Sequence, residues 1–182
     1  LAQNNIEEQK RALAHRMVRS FIKIFNVNKI TSLIEKVSLV LTELRSYYDG
    51  QKNSSEIQKL KGMLREYEEE LVWSNFGVKG TNIHHLRLGF YSGDIFTEDP
   101  TRERDVFPIL EQLRSIKPTV ISLALDPEGS GPDTHYKVLQ SIASAVRMWS
   151  KEINLDNLRI WGYRNVWYRF DQSESNLIVP VT

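Results

Sequence analysis

The sequence predicts an α/β fold in which helices cover a layered sheet, and three observations predict it. The run VISLAL at residues 120–125 is short, partly β-branched and bounded by prolines, as in a buried strand of a parallel sheet. Apolar residues recur at helical spacing in several long segments. These segments alternate with further short apolar runs, which favours a layered sheet of at least three strands.

Length and composition limit the function classes. A chain of 182 residues can form one domain with a real core. Its 24 basic and 23 acidic residues give a net charge of +1, and no basic block is interleaved with aromatic residues, so nucleic acid is not an expected partner. No apolar run approaches the roughly 20 residues of a membrane span. The absence of cysteine excludes thiolate metal sites and fits a reducing compartment, so we expect a cytoplasmic location.

The first half of the chain is predicted to be helical. Apolar spacing predicts a helix over residues 6–25. In the second helix, Ser32 and Glu35 have the form of a capping box, and Asp49-Gly50 is expected to end the helix. A third helix is expected over residues 55–76, with Gly77 as its stop.

The third helix carries Arg65, Glu68 and Glu69 at i, i+3 and i+4, so their side chains share one neighbourhood. Such a group is either an exposed ion pair within the helix or a functional pair, and the exposed ion pair is the more common case.

The next segment is predicted to form a strand, a turn and a helix. Residues 84–90 alternate between polar and apolar, which predicts a strand. His84 and His85 would point to opposite faces of that strand and could not share a metal ion, so they are expected to be structural. Tyr91 begins a turn, and Asp105 is expected to cap a helix with Pro108 in its first turn.

The central unit of the chain is the strand at 120–125, a loop, and a helix with apolar residues at 138, 139, 142, 146 and 149. Asp133 or Thr134 would cap this helix and place His135 in its first turn. Ligands of open α/β sheets bind beyond the carboxyl ends of strands, so His135 is placed for chemistry, although a lone histidine in a loop is more often a surface or capping residue. Further strands are expected at 158–163 and 177–179, separated by an arginine- and aromatic-rich segment that suits a core edge or stacking on a sugar ring.

Several stretches together resemble the LmbE-like (PIG-L) N-acetylglucosaminyl deacetylases. The likeness is strongest to the branch that forms the C-terminal half of bacterial proteins named glucosamine-6-phosphate deaminase-like. It covers roughly the whole chain, and its specific parts are DPEGSGPDTHYKV and WGYRNVW. The matching pieces are KGMLR at 61–65 with Glu68, FGV at 76–78, LRLGFY at 86–91, KP at 117–118, DP at 126–127, THYKV at 134–138 and WGYRNVW at 161–167.

The resemblance implies a Rossmann-like layered sheet and a single zinc ion. The family holds zinc with the histidine and second aspartate of an HPDD motif and with a later histidine, which corresponds here to His135. The first aspartate of that motif activates a zinc-bound water for attack on an acetamide. By the same resemblance, Arg65 contacts the substrate and is held by Glu68, and Tyr91 lies in the turn that lines the sugar pocket. In the parent protein, Asp133 could orient the zinc-binding His135 without itself contacting the metal.

This chain departs from the family because it has no HPDD motif. We therefore expect one partial domain over residues 1–182, truncated at its N-terminal side, with a helical region at about 6–77 and a sheet-and-helix region at about 82–182. Its zinc site would be incomplete, and the chain alone is expected to be inactive. The family's second histidine, which precedes the ligand, is also missing, because Pro132 and Asp133 occupy that region.

Three functions follow as alternatives. The first is part of a zinc-dependent deacetylase that acts on N-acetylglucosamine-type amino sugars. The second is a non-catalytic module that binds a sugar phosphate and is fused to a glucosamine-6-phosphate deaminase or isomerase. The third is a structural domain whose helices between Ile6 and Leu44 mediate homo-oligomerisation.

Overall fold

A computed structural model describes residues 5–90, 97–125, 133–164 and 170–178. The chain divides into two units, Leu1–His85 and Leu86–Thr182. The first is helical and the second combines helices with a small parallel two-stranded sheet, so the chain is broadly α/β.

The first unit contains three long helices. Helix α1 spans Ile6–Phe25, α2 spans Ile30–Ser46 and α3 spans Ser55–Asn75. Their shared core is formed by four buried side chains, and half-buried residues such as Met17, Leu33 and Val37 pack around it. These four core residues are Phe21, Val40, Ile57 and Leu60.

The helix boundaries agree with local signals in α1 and α3 but not in α2. The Asn5 side chain accepts a hydrogen bond from Glu7 N–H and so caps α1. Gly77, at φ 78°, follows α3 as predicted. The predicted capping box in α2 is wrong: the helix begins at Ile30, so Ser32 lies inside it, and it ends at Ser46, ahead of Asp49-Gly50.

The described residues of the second unit form two α-helices and two strands, besides a short helical turn before the first of these helices. Helix α4 spans Phe107–Ile116, strand β1 spans Val120–Ala124, α5 spans Asp133–Trp149 and strand β2 spans Arg159–Tyr163. The strands are parallel, with Val120 opposite Arg159 and Ala124 opposite Tyr163. Helices α4 and α5, together with the residue just before α4, supply the core, which consists of Val106, Ile109, Leu110, Leu113, Ala145 and Trp149.

Two predicted strands are not formed by those of their residues that the structure describes. Residues 83–88 form no strand, and Arg87 has φ 50°, a left-handed backbone that a strand cannot contain. Leu86 and Leu88 nevertheless pack against the core of the second unit, so the alternation of polar and apolar residues correctly indicated which side chains are partly buried. Leu177 and Ile178 are exposed and outside any strand, and Val179 lies outside the described residues.

Helix α5 buries a different line of residues from the predicted one. Its buried positions are Lys137, Ser141, Ala145 and Trp149, each one turn from the next, and only Trp149 belongs to the predicted apolar face. The apolar residues Leu139, Ile142 and Val146 instead line a cavity of about 330 Å³ that Leu123 and Ile160 also border. Within the described part of the chain, no helix is both long and apolar enough to cross a bilayer.

Candidate functional site

The first turn of α5 is the candidate site. This helix follows β1 and leads to the parallel strand β2, so it runs back along the sheet and begins on the side of the strands' carboxyl ends. Asp133 is its first helical residue, so neither Asp133 nor Thr134 is the cap that the sequence predicted. His135 lies in the first turn, where the sequence predicted it, and is half-buried there. The positive end of the helix dipole favours the negative charge of Asp133.

The Asp133 carboxylate is bound by two side chains. Thr97 Oγ1 donates a hydrogen bond to Asp133 Oδ2 over 2.5 Å, and Lys137 Nζ lies 2.9 Å from the same oxygen. The hydrogen bond from Thr97 and the ion pair with Lys137 hold the pKa of Asp133 below its ordinary value. Asp133 is therefore an anchored carboxylate, and its action on a metal-bound His135 stays a prediction.

Lys137 is buried in spite of its charge. Its side chain is 9% exposed, and its ammonium group donates hydrogen bonds of 2.8 Å to both the carbonyl oxygen and Oγ1 of Thr97. A longer contact of 3.4 Å reaches Asp99, whose side chain is almost fully exposed. The hydrogen bond to Asp133 raises the pKa of Lys137, so this lysine remains charged at neutral pH. Lys137 thus joins residues 97–99 to the start of α5.

The segment that leads away from Thr97 is fixed by a second buried charge, on Asp105. Asp105 is fully buried and accepts hydrogen bonds from Gly89 N–H over 2.7 Å, Thr101 N–H over 2.8 Å and Arg104 Nε over 3.0 Å. Burial raises the pKa of Asp105, but these three donors outweigh it and leave the pKa below the ordinary value.

The prediction that Asp105 caps α4 is wrong. A π-helical turn over Arg102–Val106 runs directly into α4, so Asp105 already has helical backbone and its carboxylate turns back to Thr101 and Gly89. The Thr101 side chain caps that turn by accepting a bond from Arg104 N–H. Arg104 also donates hydrogen bonds to the Glu98 carboxylate and the Asp99 carbonyl oxygen, so a polar network ties residues 89, 97–99 and 101–105 together within the second unit.

Two of the other predicted site residues belong to the first unit, and a third lies outside the described residues. Arg65 and Glu68 are exposed on α3 in the first unit and form no ion pair with each other in the described part of the chain. Tyr91 lies outside the described residues, but Phe90, just before it, accepts a 3.0 Å hydrogen bond from Glu98 N–H. The substrate contacts of Arg65 and Tyr91 stay predictions.

The adjacent histidines are not on opposite faces of a strand, because no strand forms there. Both His84 and His85 line a surface pocket of about 350 Å³ that also includes Glu69 and Trp73. His85 Nε2 lies 3.3 Å from Glu70 in the same unit. Among the described residues, no group of three His, Cys, Asp or Glu side chains is arranged to hold a metal ion.

Comparison with known proteins gives one distant relative. The chain is 29% identical over 170 residues to a glucosamine-6-phosphate deaminase-like protein of Bacteroides thetaiotaomicron. The match covers 91% of this chain but only 25% of the relative, so the chain spans about a quarter of that protein's length. No family model and no solved structure matches the chain. These findings link the chain to a protein whose name concerns an amino-sugar phosphate.

Sequence reasoning missed Lys137 and the burial of Asp105. One signal could have revealed Lys137: it lies four residues after Asp133 and shares a helical line with Ser141, Ala145 and Trp149. No neighbouring residue indicated that Asp105 is buried, because an aspartate ahead of a proline-containing helix has the usual form of an N-cap.

Proposed function

We propose that this chain is part of a zinc-dependent deacetylase of the LmbE-like (PIG-L) family that acts on an N-acetylglucosamine-type amino sugar. The observation that carries the proposal is the position of His135, half-buried in the first turn of the helix that follows β1. That turn begins at the carboxyl-end side of a parallel strand pair, where α/β proteins bind their ligands. In this proposal the pair belongs to a larger Rossmann-like sheet.

The relative from Bacteroides thetaiotaomicron supports the substrate class. Its name refers to glucosamine-6-phosphate, an amino sugar, and its likeness to this chain includes most of the chain's length. Arg65 is proposed to contact the sugar or its phosphate with the help of Glu68, and Tyr91 is proposed to line the sugar pocket. An arginine suits a phosphate because its fork of N–H groups can donate two parallel hydrogen bonds.

The described residues do not fit a complete zinc site. A catalytic zinc needs about three protein ligands and an open position for water. Here His135 is one imidazole, and the carboxylate two residues before it in the chain, Asp133, is already bound to Thr97 and Lys137. We therefore assign no reaction step to zinc in this chain, and we propose that the other ligands and the general base lie on further polypeptide of a longer parent protein.

The test uses that full-length parent. His135→Ala is expected to lower zinc affinity by more than about 100-fold, since a lost ligand should cost more than a lost partner of a ligand. It should also abolish acetate release from N-acetylglucosamine. His15→Ala, at an exposed position on α1, is the matched control and should leave both unchanged. Undiminished zinc affinity in His135→Ala would contradict the proposal. The 182-residue chain with added zinc is expected to release no acetate.

The alternative is a non-catalytic module that binds a sugar phosphate. The ion pair between Asp133 and the buried Lys137 favours the non-catalytic module, because a carboxylate that is already paired is poorly available to assist a metal site. This alternative predicts that full-length protein binds glucosamine-6-phosphate with or without zinc and releases no acetate. It also predicts a degraded HPDD motif in the parent sequence, whereas the deacetylase predicts an intact one.

A further inference from the structure

The strongest unassigned feature of the second unit is the buried ammonium group of Lys137. Burial of a charged side chain is costly unless its donors are satisfied, and here several oxygens within 3.4 Å satisfy them. Two of these oxygens belong to Thr97, which is 40 residues away in the chain. Such a long-range polar contact serves to hold one segment against another.

The contacts form a closed arrangement. Thr97 Oγ1 donates to Asp133, Lys137 pairs with Asp133, and Lys137 also donates to Thr97. Each of the three side chains therefore fixes the other two. Glu98, the next residue, donates its N–H to Phe90 and so extends the anchoring to the chain ahead of residue 91.

We propose that Lys137 is a positioning residue that fixes residues 97–99 beside the helical turn that carries His135, so that this segment forms one wall of the amino-sugar site. The consequence for the sugar rests on the proposed function, whereas the anchoring does not. Lys137 has no contact with a reacting group in this scheme. It acts through Thr97 and Asp133.

The first experiment measures hydrogen exchange at the Glu98 amide, which follows Thr97 directly in the chain and donates to the Phe90 carbonyl oxygen. Lys137→Met is expected to speed exchange there by about tenfold, the effect of one lost hydrogen bond to a charged group. Lys151→Met, at an exposed lysine of the same unit, is the matched control and should leave exchange unchanged. The buried Ala145 amide in α5 reports whether the unit is folded.

A second, milder variant keeps the anchoring testable if Lys137→Met does not fold. Thr97→Val removes the hydroxyl that contacts Asp133 and Lys137 but keeps the backbone carbonyl, so exchange at Glu98 should rise by a smaller factor. Unchanged exchange in both Lys137→Met and Thr97→Val would overturn the anchoring.

The second experiment uses the full-length protein and titrates N-acetylglucosamine and zinc separately. Lys137→Met should raise the dissociation constant of the sugar by about tenfold or more and leave that of zinc unchanged, and Lys137→Arg should restore part of the sugar affinity. Equal sugar affinity in variant and wild type, or parallel loss of sugar and zinc, would overturn the positioning role. If wild type binds neither ligand, the proposed function fails, while the exchange experiment still decides the anchoring.

Discussion

Replacement of Asp105 by asparagine offers a sharp test of the polar network beside the candidate site. The carboxylate uses one oxygen for Gly89 N–H and the other for Thr101 N–H and Arg104. Asparagine has only one acceptor oxygen, and its amide N–H₂ is itself a donor. One of the two backbone N–H groups must therefore face another donor.

The size of the effect follows from that unpaired group. A buried donor that loses its acceptor costs roughly 1–3 kcal/mol, so Asp105→Asn should lower the free energy of unfolding of the second unit by about 2 kcal/mol. Asp105→Ala leaves both N–H groups without an acceptor, and its loss should be about twice as large. Either change is a large fraction of the roughly 5–15 kcal/mol that stabilises a domain.

The loss should depend on pH in a defined direction. The pKa of Asp105 is below its ordinary value in the folded protein, so the charged form binds its donors better than the protonated form. The stabilisation is complete above the unfolded pKa of about 3.9 and disappears as pH falls through the lower folded pKa. The difference between wild type and Asp105→Asn should thus be constant from about pH 7 to 5 and shrink below about pH 4.

Urea unfolding followed by tryptophan fluorescence measures both quantities. In a Trp73→Phe background the remaining tryptophans lie in the second unit, and Trp149 is buried in its core. Asp99→Asn is the control, because that carboxylate is almost fully exposed and its loss should have little effect. A difference below about 0.5 kcal/mol, or one that does not shrink in acid, would refute the reasoning.

Two further predictions concern the backbone of the second unit. A Cβ on Gly162 would lie 1.9 Å from Leu125 Cδ1, so Gly162→Ala should destabilise the unit by about 1–3 kcal/mol in urea unfolding, and Leu125→Ala in the same chain should cancel part of that loss. Additive losses would argue against this clash. Lys117 ends α4 with φ 50°, so Lys117→Gly should raise the midpoint of thermal unfolding by relieving a left-handed backbone, whereas Lys151→Gly should not. A lower midpoint for Lys117→Gly would count against this reasoning.

Local signals were enough to predict much of the fold. Helices α1, α3 and α5 and strands β1 and β2 were predicted close to their observed bounds, because apolar spacing and stop residues such as Gly77 act within a few residues. The predictions fail where contacts with residues distant in the sequence override a local pattern. The alternation at residues 84–90 could not reveal the left-handed Arg87.

The candidate site was predictable only in part. The position of His135 in the first turn of α5 followed from the strand–loop–helix pattern, and the structure confirms it. The hydrogen bond from Thr97 to Asp133 could not be foreseen, because Thr97 lies 36 residues away and nothing near it in sequence points to α5. The roles of Arg65, Glu68 and Tyr91 depend on the family resemblance and stay predictions.

The buried residues of α5 are held by different kinds of interaction at its two ends. Near the start of the helix, Lys137 is held by hydrogen bonds and ion pairs. Near its end, Ala145 and Trp149 are held by apolar packing in the core. The ion pair between Lys137 and the exposed Asp133 carboxylate weakens with ionic strength, while apolar attachment weakens on cooling. Concentrated sodium chloride should therefore fray the histidine-bearing end first, and chilling should loosen the tryptophan end, so one helix would respond to two different solvent variables.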